Sequence, residues 1–209
     1  MDKADEIRVM IVDDHPIMRV GIAAIINAQE KMRVVAQAGT TEEAIRLFAS
    51  ESPDLILMDL RLPDRDGVEA IKEIRVRSPG ARIVVLTTYE GDEDIHRALE
   101  AGARGYLIKG MPHEALVKAL RRVHDGQRFL PQVVTQALSA RAPGSNLSVR
   151  EQEVLQLMFA GKSNREIAEL LHIKEATVKS HVSVILMRLN VSDRTQAVVE
   201  GLKRGLVHL

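Results

Sequence analysis

The sequence predicts a doubly wound α/β domain on a five-stranded parallel sheet, followed by a small all-α domain. Three observations predict it. Five short aliphatic runs lack sustained polar alternation, as strands buried on both faces do. Amphipathic stretches with helical spacing separate them, which implies βαβ crossovers with helices on both faces of one sheet. Beyond about residue 146 the strand-like runs cease and helical periodicity alone continues.

Strands are expected at 7–12, 33–38, 54–58, 82–87 and 105–108, with helices at 15–27, 41–51, 67–77, 92–101 and 113–125. Ala44, Leu47 and Phe48 illustrate the apolar stripe of the second helix. The first domain is therefore assigned to 1–125. Residues 126–145 carry Pro131, Pro143, Gly144 and Ser145 and read as a linker with room for one short helix at 133–139. The second domain, 146–209, is expected to hold helices at 148–160, 164–171, 175–189 and 193–203. Ser148 with Glu151 and Ser163 with Glu166 have the spacing of capping boxes, and Gly161 and Gly205 sit where helices should stop.

A length of 209 residues suits two compact units, and 45% apolar with 28% charged residues is enough to bury a core in each. No stretch approaches the roughly 18 unbroken apolar residues of a membrane span. Asp2, Asp5 and Glu6 follow Met1, unlike the basic start of a secretion signal, so a cytoplasmic location without membrane contact is expected. The absence of cysteine excludes disulfides, thiolate metal sites and thiol nucleophiles. Net charge is zero; from Asn146 onward 9 Lys and Arg stand against 7 Asp and Glu, and the remainder has 20 against 22. Nucleic-acid binding must therefore be argued from local placement of charge.

Polar residues gather at the carboxyl ends of the expected strands, where open parallel sheets bind ligands. Asp13 and Asp14 follow the first strand, Asp59 the third, Thr87 and Thr88 end the fourth, and Lys109 follows the fifth. One such Asp alone is an ordinary turn former or helix cap; the ordered set is not. Converging carboxylates without His or Cys favour a hard cation such as Mg2+. With an ammonium and a hydroxyl nearby, one carboxylate can attack phosphorus, and Asp59 is the candidate nucleophile.

These residues resemble the receiver domains of two-component response regulators over about the first 125 positions, which implies a flavodoxin-like fold. The resemblance makes Asp59 the phosphoacceptor and pairs it with Thr87 and Lys109. It makes Thr87 and Tyr106 the switch residues. It assigns Mg2+ to Asp14, Asp59 and the backbone carbonyl of Arg61, with Asp13 acting through water. A sensor histidine kinase is the implied phosphoryl source. Pro63, Asp66 and Gly67 fall in the loop after the phosphorylated strand, whereas Gly110 stands where many receivers have proline after the lysine. A turnover phosphatase similar to the haloacid dehalogenases would carry a second aspartate two residues after the nucleophile; Arg61 occupies that position.

Helices at 164–171 and 175–189 around a short turn form a helix-turn-helix, the arrangement that lays its second helix in the major groove of double-stranded DNA. Val178, Val182, Ile185, Leu186 and Leu189 should face the core, leaving Thr177, Lys179, Ser180 and Ser183 open. With His181 they form the candidate DNA-contacting set. Residues 147–207 resemble the LuxR-type domain of the NarL/FixJ class through Leu147-Ser148, Glu153-Val154-Leu155, Gly161-Lys162-Ser163-Asn164, Thr177-Val178-Lys179 and Arg194-Thr195-Gln196-Ala197. Lys174 and Asn190 depart from that pattern, at positions where the family often has serine and glycine. So modest a local charge favours a homodimer on repeated half-sites, and the two halves together imply a phosphorylation-controlled transcriptional regulator.

Overall fold

The computed structural model describes residues 6–88, 91–140 and 146–207. The chain divides into two compact units, the first reaching Thr135 and the second running on from Gln136. The first unit is the expected doubly wound sheet. Its elements alternate as β1 (Ile7–Val12), α1 (Pro16–Asn27), β2 (Met32–Ala38), α2 (Thr41–Glu51), β3 (Leu55–Met58), α3 (Gly67–Arg77), β4 (Arg82–Thr87), α4 (Asp92–Glu100), β5 (Gly105–Ile108) and α5 (His113–His124). All strand pairs are parallel, in the order β2-β1-β3-β4-β5.

Alternation of side chains across each strand gives the sheet two apolar faces. Val9, Ile11, Leu55, Leu57, Val84, Leu86 and Leu107 form one core with Ile22 and Ile26 of α1 and Leu116, Leu120 and Val123 of α5. By the same alternation Met10, Ile56, Met58, Ile83 and Val85 turn to the other face, all at most 1% exposed. Burial on both sides is the physical reason these strands read as unbroken aliphatic runs. Strand order reverses between β1 and β3, whose pairing runs to Val12 opposite Met58. That reversal opens the crevice where doubly wound sheets bind ligands.

Helix α6 (Gln132–Ala140) occupies the expected short helix before 141–145; Pro143, Gly144 and Ser145 lie outside the described residues, as do Asp2 and Asp5. The second unit carries α7 (Val149–Phe159), α8 (Asn164–Leu170), α9 (Glu175–Leu189) and α10 (Arg194–Lys203). They enclose Val154, Leu155, Ile167, Val178, Ile185, Leu189 and Ala197 in one apolar cluster. Ser148 and Ser163 both close capping boxes with Glu151 and Glu166. No helix among the described residues is long and apolar enough to cross a membrane.

The backbone N–H of Ser163, then its hydroxyl, hold the Glu166 carboxyl below the usual carboxylate range. A depressed folded pKa stabilises above the ordinary value and is lost as pH falls through the lowered one. Ser163→Ala keeps the backbone donor but removes the hydroxyl of this cap, and is expected to lower folding stability near pH 7. Urea titrations repeated below the ordinary glutamate range should show the gap between the two proteins narrowing.

Candidate functional site: an acidic pocket and an exposed helix

Backbone pairing continues one residue past the strands and fixes the pocket. Asp13 N–H donates to Ala38 O at 3.1 Å, Asp59 N–H to Val12 O at 2.8 Å and Lys109 N–H to Thr87 O at 2.7 Å. Asp13 and Asp59 therefore stand side by side at the switch point, both 2% exposed. Lys109 Nζ lies 2.7 Å from Asp13 Oδ2 and 2.6 Å from Asp59 Oδ2, so one ammonium serves two buried carboxylates. Burial alone would lower the Lys109 pKa, but the hydrogen bonds and negative charge of Asp13 and Asp59 outweigh it and hold the lysine above its usual value. Asp14 is exposed at the rim.

The loop after β3 is anchored at several points. Arg61 N–H donates to Asp59 Oδ1 at 3.2 Å. Gly67 passes so close that a Cβ there would meet Asp59 O at 2.3 Å, which only glycine permits. Asp66 caps α3 through Val68 N–H at 2.8 Å and also pairs with Arg97 of α4 at 2.6 Å. Asp64 accepts from the first backbone N–H groups of α2, Thr41 at 2.9 Å and Glu42 at 3.0 Å. Desolvation would raise the Asp64 pKa, but these backbone donors prevail and lower it. Gly110 takes a positive φ of 93° after Lys109.

Thr87 is fully buried, and its Oγ1 has no hydrogen-bond partner among the described residues. Tyr106 is 1% exposed. Asp13, Asp14 and Asp59 each offer an oxygen within 4.8 Å of the others, and His15 adds a nitrogen within the same limit. Three carboxylates facing one ammonium leave excess negative charge, and oxygen donors at this spacing fit a hard divalent cation. His15 escaped the sequence reading. The signal was present in its place directly after the acid pair, Asp13-Asp14-His15.

In the second unit, Thr177, Lys179, Ser180 and Ser183 are exposed on α9, His181 is half-buried, and Val178, Ile185 and Leu189 face the core. Ser180 Oγ donates to Ala176 O and Ser183 Oγ to Lys179 O, each at 3.1 Å, while Lys179 Nζ lies 2.9 Å from Glu175 Oε1. Lys174 is the N-cap of α9 and supplies no side-chain cap, as expected from losing serine there. Asn190 takes the left-handed C-cap conformation, φ 56°, that glycine adopts most readily. Glu151, 6% exposed, ties α9 to α7: its Oε2 meets Arg188 of α9 at 2.5 Å and Ser148 N–H at 2.8 Å.

Residues 9–121 match the family described as response regulator receiver domain, and 145–200 match bacterial regulatory proteins of the luxR family. The transcriptional regulatory protein DegU of Brevibacillus brevis is 38% identical over 97% of this chain and 96% of its own. The transcriptional regulatory protein LiaR of Bacillus subtilis is 39% identical, covering 97% of this chain and 100% of its own. Among solved structures, the response regulator ChrA of a heme-sensing two-component system shares 36% identity over 97% of this chain and 99% of its own, with a TM-score of 0.58. RcsB from Salmonella enterica serovar Typhimurium, bound to a promoter in the presence of phosphomimetic BeF3-, shares 28% identity over 95% of this chain and 98% of its own, with a TM-score of 0.73.

A raised folded pKa on Lys109 stabilises fully below the ordinary lysine value of 10.5 and is lost as pH rises through the raised one. Lys109→Met is expected to lower the unfolding midpoint at neutral pH, with the difference from the parent protein shrinking only in strong alkali. Chemical denaturation across that pH range measures it.

Proposed function

This chain belongs to the response regulators that join a receiver domain to a luxR-family DNA-binding domain, and we propose that phosphorylation of Asp59 controls its binding to promoter DNA. It is a transcriptional response regulator, as its relatives are. Phosphorylation at Asp59 is supported above all by the pair of buried carboxylates, Asp13 and Asp59, gathered on the single ammonium of Lys109.

Mg2+ held by Asp14, Asp59 and the carbonyl of Arg61, with Asp13 acting through water, would neutralise charge on the incoming phosphoryl oxygens. An Asp59 carboxylate oxygen attacks phosphorus. The P–N bond of a phosphohistidine on a sensor kinase breaks, its electron pair leaves with the imidazole, and an acyl phosphate forms on Asp59. Lys109 Nζ, already 2.6 Å from Asp59 Oδ2, exchanges a carboxylate contact for a phosphoryl one. Thr87, whose hydroxyl is buried and has no partner among the described residues, donates to the new oxygens. Thr87 and Tyr106 then shift the face bearing α4 and α5, altering domain packing or dimerisation. The reaction modifies the chain itself rather than turning over an external substrate.

At the DNA end, α9 lies in the major groove, with Lys179 on phosphate or a guanine edge and Thr177, Ser180, His181 and Ser183 beside it. Lys179 leaves Glu175 to do so, and Ser180 and Ser183 can donate only by giving up their bonds to backbone carbonyls. RcsB, a structural neighbour, has been solved as dimers on DNA; two copies of this chain on repeated half-sites follow the same logic. The working location is the cytoplasm, where kinase domain and DNA meet.

Genome-wide footprinting with and without a small-molecule phosphodonor and Mg2+ tests this reading. Occupied, symmetric sites should gain protection with donor, and Asp59→Asn should remove the dependence; donor-dependent footprints surviving in that variant would sink the proposal. Lys179→Ala is expected to weaken binding to all sites alike and reduce the salt-dependence slope by about one if its contact is phosphate. A change confined to one base position would assign it to a base edge instead.

A further inference from the structure

We propose that His15 is a fourth protein ligand of the acidic pocket, turning an all-oxygen cation site into a mixed nitrogen–oxygen one with added preference for first-row transition ions over Mg2+. The inference rests on the reading that Asp13, Asp14 and Asp59 hold a divalent cation. One ring nitrogen of His15 and one oxygen from each of the three aspartates all lie within 4.8 Å of one another. Opposite ligands of an ion with bonds of about 2.1 Å stand about 4.2 Å apart, so groups gathered within 4.8 Å are within reach of one common ion.

The placement of the ring has no other explanation in the helix it begins. His15 is the N-cap of α1, a position where side chains normally accept a backbone N–H, yet its ring makes no capping bond. It turns instead toward the acids, with Nδ1 2.5 Å from Asp14 Oδ1 and 3.3 Å from Asp13 Oδ1. Its backbone N–H donates to Asp13 Oδ1 at 2.8 Å, which fixes its Cα at the rim. The side chain is 68% exposed, so no packing holds it there, and a surface ion pair of this kind is weak. The pocket it overhangs is built rather than a chance group of surface acids, with Asp13 and Asp59 buried and the Thr87 hydroxyl enclosed with no partner among the described residues.

Donor chemistry sets the consequence. Carboxylates alone suit Mg2+, whereas an imidazole nitrogen adds little for Mg2+ and more for ions further along the Irving–Williams order. Phosphoryl transfer would then run with either class of ion, and His15 tunes which one the pocket holds.

Mn2+ serves as the probe because its electron spin reports its ligands. Full-length protein at about pH 8, where imidazole is ordinarily neutral, is loaded with Mn2+ and compared with His15→Ala and His15→Gln by electron spin-echo modulation. Affinities for Mn2+ and Mg2+ are measured in parallel by competition. The parent protein should show imidazole nitrogen-14 modulation that both variants lack, and its preference for Mn2+ over Mg2+ should exceed theirs by about tenfold. Identical spectra in all three proteins, or an unchanged preference, overturn the role of His15. If the parent binds neither ion, the underlying cation reading fails; if it binds both without an imidazole signature, only the His15 inference fails.

Discussion

The constraint on which the pocket depends is electrostatic: Asp13 and Asp59 are buried side by side and share the ammonium of Lys109 at 2.7 and 2.6 Å. Burying like charges next to each other is costly without a cation, and removing that cation leaves the penalty uncompensated. The backbone makes the arrangement possible. The register that sets Val12 opposite Met58 delivers Asp13 and Asp59 to the same edge, and the register that sets Thr87 opposite Ile108 delivers Lys109 beside them. A slip of one residue in either pairing would turn these side chains to the opposite face of the sheet.

The loop after β3 supports that edge from below. Gly67 allows the start of α3 to close on the Asp59 carbonyl, while Asp64 and Asp66 fasten the same loop to α2, α3 and Arg97 of α4. A change of charge on Asp59 therefore acts on a segment tied to three helices, which is the physical basis for a local event having a wider effect. The second unit is organised on a similar principle at smaller scale. Glu151 and Arg188 fix α9 against α7, leaving one face of α9 outward.

Much of this was legible in the sequence for a definite reason. Strands covered on both faces must be aliphatic throughout, so their ends are sharply marked, and Asp13, Asp59 and Lys109 each stand immediately beyond such an end. Capping boxes are local and appeared where Ser148 and Ser163 announced them. What escaped is what depends on side-chain direction or long range. Nothing in the text near Asp66 names Arg97, 31 residues away, as its partner. Nor does spacing reveal that Ser180 and Ser183 bond back to their own helix, or that the ring of His15 turns toward the acids rather than the helix it caps. The family resemblance supplied roles for Thr87 and Tyr106 that burial alone would have assigned to packing.

Acceptance of a phosphoryl group by Asp59 leaves a covalent mark that chemical trapping detects. Protein treated with phosphodonor and Mg2+ is reduced with borohydride, which converts an acyl phosphate of aspartate to homoserine, and the product is located by peptide mass spectrometry. Homoserine is expected at position 59 and nowhere else, with none formed when Mg2+ is chelated. Homoserine at position 13 or 14, or its absence from 59 in protein that has taken up phosphate, would contradict it.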